Sequence, residues 1–218
     1  MKMCEFLKSR SDINLATLYL SEHNLLPHNL ECKNWDLAHI LSDISDGNFL
    51  DMGSSESYIL HNVVRKGVVG EKFGIDFRSP DHPLPGVKYV IGDIMKTTFG
   101  DNLFQNISCL SVIEHGVELN RLALEVKRIL KVGGKFYLTF DYWDPKVITT
   151  SVKLYGLPWD ILNKVDVIKL IEIFKQYGLT LVDELDWTIS EQVIQDGYFT
   201  PFPGFRYTFG FLTFSKVG

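Results

Sequence analysis

The stretch Asn48-Phe49-Leu50-Asp51-Met52-Gly53-Ser54-Ser55-Glu56-Ser57 decides how this chain is read. A short apolar run ends in an acid and turns on a glycine. A helical pattern follows, with Tyr58, Ile59, Leu60, Val63 and Val64. In a strand–turn–helix corner the first N–H groups of the helix point at whatever lies beyond the strand. Gly53 permits a tight turn and a close backbone approach. A dinucleotide corner would carry G-x-G-x-x-G for a pyrophosphate. Here one glycine is followed by serines, which suits a smaller polar group such as an amino-acid moiety or a ribose. Taken alone, the stretch reads equally well as a plain structural corner.

The same punctuation recurs downstream. Glu71-Lys72-Phe73-Gly74-Ile75-Asp76 reads as a second strand ending in an acid, and Val87-Lys88-Tyr89-Val90-Ile91 as a third, closed by Gly92-Asp93. Gln105-Asn106-Ile107-Ser108-Cys109-Leu110-Ser111 is a fourth strand, and residues 135–140 are a fifth ending at Asp141. Residues 119–130 are amphipathic and stop at Gly133-Gly134. Residues 161–177 are a long helix closed by Gly178, a typical C′ glycine. Residues 179–187 and 207–214 read as the last two strands. Strands alternating with helices predict an α/β fold with a mostly parallel sheet covered on both faces. Ligands of such sheets bind outside the carboxyl ends of the strands. Asp51, Asp76, Asp93, Ser111 and Asp141 all fall at such ends, and five in order say more than any one of them.

Upstream, the first 45 residues show apolar positions at helical spacing, broken at Pro27 and Asn29. They read as an N-terminal cap or lid (1–45) ahead of the main domain (46–218). The chain has 218 residues, 45% hydrophobic and 22% charged, with 22 Lys+Arg against 27 Asp+Glu for a net charge of −5. That is the composition of a folded domain, not of a disordered chain. The mild acidity argues against a nucleic-acid phosphate footprint. No apolar run reaches the ~20 residues of a membrane span. No apolar h-region follows Met1-Lys2-Met3-Cys4-Glu5, so no secretory signal is expected. Cys4, Cys32 and Cys109 suggest neither a disulfide framework nor a zinc ribbon, and a reduced, cytoplasmic setting is the default.

The series Phe49-Leu50-Asp51-Met52-Gly53-Ser54-Ser55, Gly74-Ile75-Asp76, Gly92-Asp93-Ile94, Leu110-Ser111-Val112-Ile113-Glu114-His115 and Leu130-Lys131-Val132-Gly133-Gly134 resembles the class I S-adenosylmethionine-dependent methyltransferases. The resemblance implies a Rossmann-like sheet of seven strands with an antiparallel last strand. It implies S-adenosyl-L-methionine as cofactor and S-adenosyl-L-homocysteine as product. Asp51, Met52, Gly53, Ser54 and Ser55 would lie near the methionine part, and Asp76 on the ribose hydroxyls. Asp93 and Ile94 would meet the adenine, with Phe77 either against the purine or in the core. Ser111 would line the cofactor floor. The serine-rich first loop is similar to that of some bacterial methyltransferases of sugar and surface-glycan pathways.

Methyl transfer needs the acceptor atom held in line and water excluded, with a base only for an alcohol or a protonated amine. His115 is the base candidate, since its ordinary pKa suits proton transfer near neutrality. A structural role in the loop is the alternative. Glu114 either orients His115, contacts the cofactor or is a solvated carboxylate. A Glu-x-x-Glu-His magnesium run lacks its first acid here, so no metal is expected. Asp141-Tyr142-Trp143-Asp144 reads as a wall of the acceptor pocket or a packed corner. The aromatic stretch 196–206, with Phe199, Phe202 and Phe205, reads as an acceptor wall or a homodimer contact. The acceptor is expected to be a small molecule methylated on oxygen or nitrogen. The competing readings are a non-catalytic adenosyl-binding module and a nicotinamide-dependent oxidoreductase, the latter disfavoured by the missing glycines.

Overall fold

The computed structural model describes residues 1–55, 57–195 and 204–218. The chain opens with strand β1 (Cys4–Phe6), then helices α1 (Arg10–Glu22) and α2 (Lys33–Asp43). The quoted stretch forms β2 (Phe49–Met52), followed by α3 (Tyr58–Arg65), β3 (Lys72–Asp76) and β4 (Val87–Ile91). Then come β5 (Phe104–Leu110), a single 3-10 turn at Ile113–His115, α4 (Leu119–Ile129) and the long β6 (Leu130–Tyr142). A small hairpin, β7 (Lys153–Leu154) and β8 (Leu157–Pro158), precedes α5 (Lys164–Gln176). β9 (Leu179–Leu181), β10 (Ile194–Gln195) and β11 (Arg206–Lys216) complete the chain.

The main path of the sheet runs β1-β11-β6-β5-β2-β3-β4. The pairs β3/β4, β2/β3, β2/β5 and β5/β6 are parallel, whereas β11 is antiparallel to β6. This is the Rossmann-like α/β fold that the sequence pattern predicts. The chain moves outward through β2, β3 and β4, then jumps back so that β5 lies on the other side of β2. The strand order therefore reverses between β2 and β5, the place where an open α/β sheet has its ligand crevice.

β2 is buried at every residue because helices cover both faces of the sheet. On one face α4 and α5 close a core in which the Phe136 and Phe174 rings stack 5.7 Å apart and Phe174 lies 4.8 Å from Phe214. Each such ring contributes on the order of 1.5–3 kcal/mol by leaving water. On the other face α1, α2 and α3 close a second core with Leu20, Trp35, Leu41, Leu60 and Phe211. Asn62, fully buried, ties α3 to the inter-helix loop by exchanging hydrogen bonds with the Leu26 backbone (2.7 and 2.9 Å). The N-terminal helices are thereby packed over the crevice.

Three details differ from the sequence pattern. The N-terminal region is not helical throughout, because Cys4–Phe6 pairs with Gly210–Leu212 of β11. That pairing takes up the edge of β11, so the strand predicted over 179–187 pairs with β11 only at Leu179–Leu181. Beyond it, the Asp186 N–H donates to the Cys4 carbonyl instead (3.0 Å). The helix predicted from 161 begins at Lys164, where the Asn163 side chain accepts from the Asp166 N–H and the Asp166 side chain accepts from the Asn163 N–H. Such a capping box sets the first turn.

Candidate active site

Gly53 sits at the switch point with φ +84°, and a Cβ there would meet Val112 Cγ2 at 2.5 Å. Both facts require glycine. Ser54 is buried against Gly74, where a Cβ would press on Ser54 Oγ at 2.5 Å. The Ser55 N–H donates to Asp76 Oδ2 (3.1 Å), and Ser57 caps α3 by accepting from the Leu60 N–H (3.0 Å). The loop is thus tied to β3 by the Ser55 backbone and to α3 by the Ser57 hydroxyl. Asp51 is buried and accepts from Ser108 Oγ (2.6 Å). Burial pushes its carboxyl up to about 6, against the downward pull of Ser108. The Met52 side chain is fully buried in the core, which leaves only its backbone to face the crevice.

At the next strand end, Asp76 accepts two backbone N–H groups, from Ser55 and from Arg78 (3.2 Å). A carboxylate has about four lone-pair sites, so acceptor capacity is left for hydroxyl groups. Phe77 beside it is 62% exposed, so the core alternative does not hold for this ring. Asp93 accepts from the Met95 N–H (2.8 Å) and pairs with Arg121 at 3.5 Å. Ile94 is buried in the main core, with its apolar surface already covered by protein. A spare carboxylate, an exposed aromatic face and a bare glycine turn, set on successive strand ends, fit an adenosyl group with an amino-acid tail.

Deeper in the crevice lies a group of residues the sequence reading did not bring together. Ser111 follows β5 with φ +52°, a left-handed conformation that is uncommon outside glycine and concentrates at functional sites. Its hydroxyl accepts from Lys33 Nζ, which descends from the first turn of α2. Lys33 also donates to Asp36 Oδ2 (3.0 Å) and lies 3.8 Å from the centre of the Phe209 ring. Burial opposes the charge on Lys33, but Asp36 and then Asp141 override it and hold the ammonium above its ordinary pKa. Asp141 Oδ2 accepts from Trp159 Nε1 (2.7 Å), and burial pushes its carboxyl up to about 6 despite Lys33. Glu114 is 2% exposed, and neither of its oxygens has a partner. Burial, and after it the charge of Asp141, raises Glu114 well above the usual carboxylate range. Glu114 is therefore not the solvated loop carboxylate of one sequence reading. Among the described residues, no three His, Cys, Asp or Glu side chains are placed to hold a metal ion together.

His115 hangs at the mouth of this group. Its Nδ1 meets the Pro158 carbonyl (3.2 Å), and its ring stands edge-on to Tyr155 (5.9 Å). Burial lowers its pKa, so the imidazole is neutral near pH 7. Tyr142 is buried with its ring 4.1 Å from Phe6, which makes it part of a packed corner and not of an open wall. Phe205 packs edge-on against Trp159 (5.4 Å), while residues 196–203, including Phe199 and Phe202, lie outside the described residues. Two cavities flank the group. One, of about 100 Å³, is lined by Lys33, Asp36, Asp51, Gly53 and Tyr58. The other, of about 370 Å³, is lined by Glu114, Val117, Asn120, Asp160, Leu162 and Ile173 among others.

Two stability predictions follow from these burials. A folded-state pKa near 6 on Asp51 lies above its ordinary value of 3.8. Protonated Asp51 therefore supports the fold below about pH 4, and that support is lost as pH rises through about 6. Asp51→Asn removes the titration. The variant is expected to exceed the native chain by about 1–3 kcal/mol near pH 7.5, with the gap closing toward pH 4. Urea unfolding at several pH values checks this, and a pH-independent gap would contradict it. Trp159→Phe leaves Asp141 buried without its donor and is expected to cost about 1–3 kcal/mol. The same titration at neutral pH measures that loss.

Residues 50–138 match the family described as a methyltransferase domain. A sterol 24-C-methyltransferase, ERG6B of Gibberella zeae, is 32% identical over 88 residues, or 38% of this chain. That match spans only 21% of the longer relative. The YcgJ protein of Bacillus subtilis superposes with a TM-score of 0.64 at 15% identity, covering 84% of this chain and 98% of the other. The 1,6-didemethyltoxoflavin-N1-methyltransferase of Burkholderia thailandensis, solved with S-adenosylhomocysteine, superposes at 0.62 with 13% identity, covering 95% of this chain and 88% of the other. The methyltransferase-domain match thus falls on the stretch from β2 to β6, and the solved methyltransferase structures share the fold of the whole sheet.

Proposed function

We propose that the protein transfers a methyl group from S-adenosylmethionine to an oxygen or nitrogen of a small-molecule acceptor. The acceptor class favoured by the serine-rich loop is a sugar or surface-glycan precursor, handled in the cytoplasm. The observation that carries the reading is the row of acids around the bare Gly53 turn: Asp51, Asp76 and Asp93 on three successive parallel strand ends. In this reading Asp76 takes the ribose hydroxyls, with Phe77 beside the base and Asp93 at its edge. Gly53, Ser54 and Ser55 shape the bed of the methionine part, and Ser111 forms the floor. Residues 1–45 act as the cap, with α2 closing the crevice from above.

When bound, the cofactor supplies an activated methyl group on a sulfonium, so no protein nucleophile is needed. The chain's work is to hold the acceptor in line and keep water out. The contact with Pro158 engages Nδ1 of His115, leaving Nε2 to take a proton from an acceptor hydroxyl or amine. Thermal shift with S-adenosylhomocysteine, S-adenosylmethionine and NAD(H) in parallel tests the reading. The adenosyl ligands are expected to raise Tm and NAD(H) to leave it unchanged. Stabilisation by NAD(H) alone rejects the proposal, and cofactor binding without turnover on a metabolite panel favours a binding module.

A further inference from the structure

Between β6 and α5 the chain folds a hairpin, β7 and β8, around a two-residue turn of Tyr155 and Gly156. Both turn residues are left-handed, at φ +56° and +79°. That is the type I′ turn of short hairpins, whose usual residues are Asn-Gly, Asp-Gly or Gly-Gly. Gly156 meets the demand at the second position. At the first, a tyrosine is out of place, because a bulky side chain in the left-handed region is a strained outlier. The ring does not serve the core either, since Tyr155 is 76% exposed.

The tip is nonetheless held at a fixed place. The Asp160 N–H donates to the Glu114 carbonyl (2.9 Å), and the Pro158 carbonyl meets His115 Nδ1 (3.2 Å). The Tyr155 ring stands edge-on to the His115 imidazole at 5.9 Å. His115 in turn borders the crevice. Its N–H donates to the Val112 carbonyl (3.1 Å), and Val112 Cγ2 is the atom that a Cβ on Gly53 would meet. The charge of Lys33, which lines the cavity at the Gly53 turn, is also felt at His115. Gly53, Val112, His115 and Tyr155 are thus consecutive steps from the donor's turn to an exposed aromatic face.

A strained, exposed ring beside the base candidate calls for a ligand. An aromatic ring carries negative charge on its faces. A pyranose offers the complement, with weakly positive C–H groups on one face and hydroxyls around its rim. Polar groups stand near the tip: Lys153 precedes the turn, and Asp160, paired with Lys146 at 2.8 Å, follows it. An open platform with a wet rim suits a sugar, whereas a planar aromatic ligand is normally enclosed. We infer that Tyr155 binds the acceptor, as a platform for the C–H face of a pyranoside whose hydroxyl edge turns to His115. This rests on the methyltransferase reading and deepens it by naming the residue that recognises the sugar ring.

NMR titration tests this, with and without saturating S-adenosylhomocysteine. The probes are the methyl α-pyranosides of glucose, galactose and mannose, with phenol as the planar control. At least one pyranoside is expected to bind more tightly than phenol. Tyr155→Asn supplies a residue that the turn favours and removes the ring. It is expected to raise Tm and to weaken that pyranoside about fivefold, the worth of one aromatic contact. Tyr155→Phe keeps the ring and is expected to bind the sugar as the native chain does. Affinity for S-adenosylhomocysteine is expected to be the same in all three. A purely structural tyrosine would give the reverse pattern, a lower Tm with unchanged sugar binding. That pattern, no pyranoside bound by the native chain, phenol bound most tightly, or native-like sugar binding in Tyr155→Asn overturns the inference. Failure of S-adenosylhomocysteine itself to bind the native chain would instead reject the methyltransferase reading, while the titrations without it still decide whether Tyr155 holds a sugar.

Discussion

Lys33→Met is expected to destabilise the unliganded protein by about 3–5 kcal/mol, the usual cost of breaking a buried ion pair from one side. For a domain of this size that is a fall in Tm of about 6–20 °C. The cause is specific. The side chain of Lys33 reaches Asp36, which is 1% exposed, and removing the ammonium strands that carboxylate beside Glu114 and Asp141. Methionine keeps the apolar contact with the Phe209 ring, so packing is not the main loss. Burial already raises the Asp36 pKa above its ordinary value. The loss is therefore expected to shrink as pH falls and Asp36 takes up a proton. Lys33→Met/Asp36→Leu is expected to regain most of the stability, since both charges then leave the interior together. Denaturant unfolding of the three proteins at two pH values measures all of this. A single variant as stable as the native chain would show that the cluster carries no net charge to compensate.

Asp76→Ala is expected to weaken S-adenosylhomocysteine binding by about 1.5–3 kcal/mol, or roughly tenfold to a hundredfold, which is the worth of hydrogen bonds to a charged group. Folding should suffer less, because Asp76 sits at a strand end, its bond from the Arg78 N–H is exposed where water can replace it, and the one from the Ser55 N–H is only part-buried. Asp76→Asn retains one acceptor oxygen and is expected to fall between the two. Isothermal titration gives the affinities directly, and an unchanged dissociation constant in Asp76→Ala would remove this residue from the cofactor site.

The parallel sheet and its acidic strand ends were legible in the sequence because their signals are local. A run of apolar residues, a polar end residue and a turn fit within a few positions, and five such ends in order, four acids and a serine, mark the edge of the sheet where a ligand binds. The edge strand β1 was not legible, for it is three residues long and earns its partner only from β11, far along the chain. Lys33 and Asp36 were missed for a related reason. α2 is buried at Trp35, Leu37, Ala38, Ile40 and Leu41 and also at Asn34, Asp36 and His39, so no polar face marks where its charges point. An acid set three positions from a lysine inside a buried helix was the available signal. Trp159 gave none, since its indole N–H finds Asp141 only after the hairpin folds back. Phe77 shows the converse limit. An aromatic after a strand is most often core, and only the structure places this one on the surface.

A crystal structure with S-adenosylhomocysteine bound is the most direct measurement of the central claim. The ribose is expected on Asp76, the base beside Phe77, and the homocysteine over the Gly53 turn under α2. An empty crevice at saturating ligand, or the ligand seated elsewhere on the sheet, would contradict it.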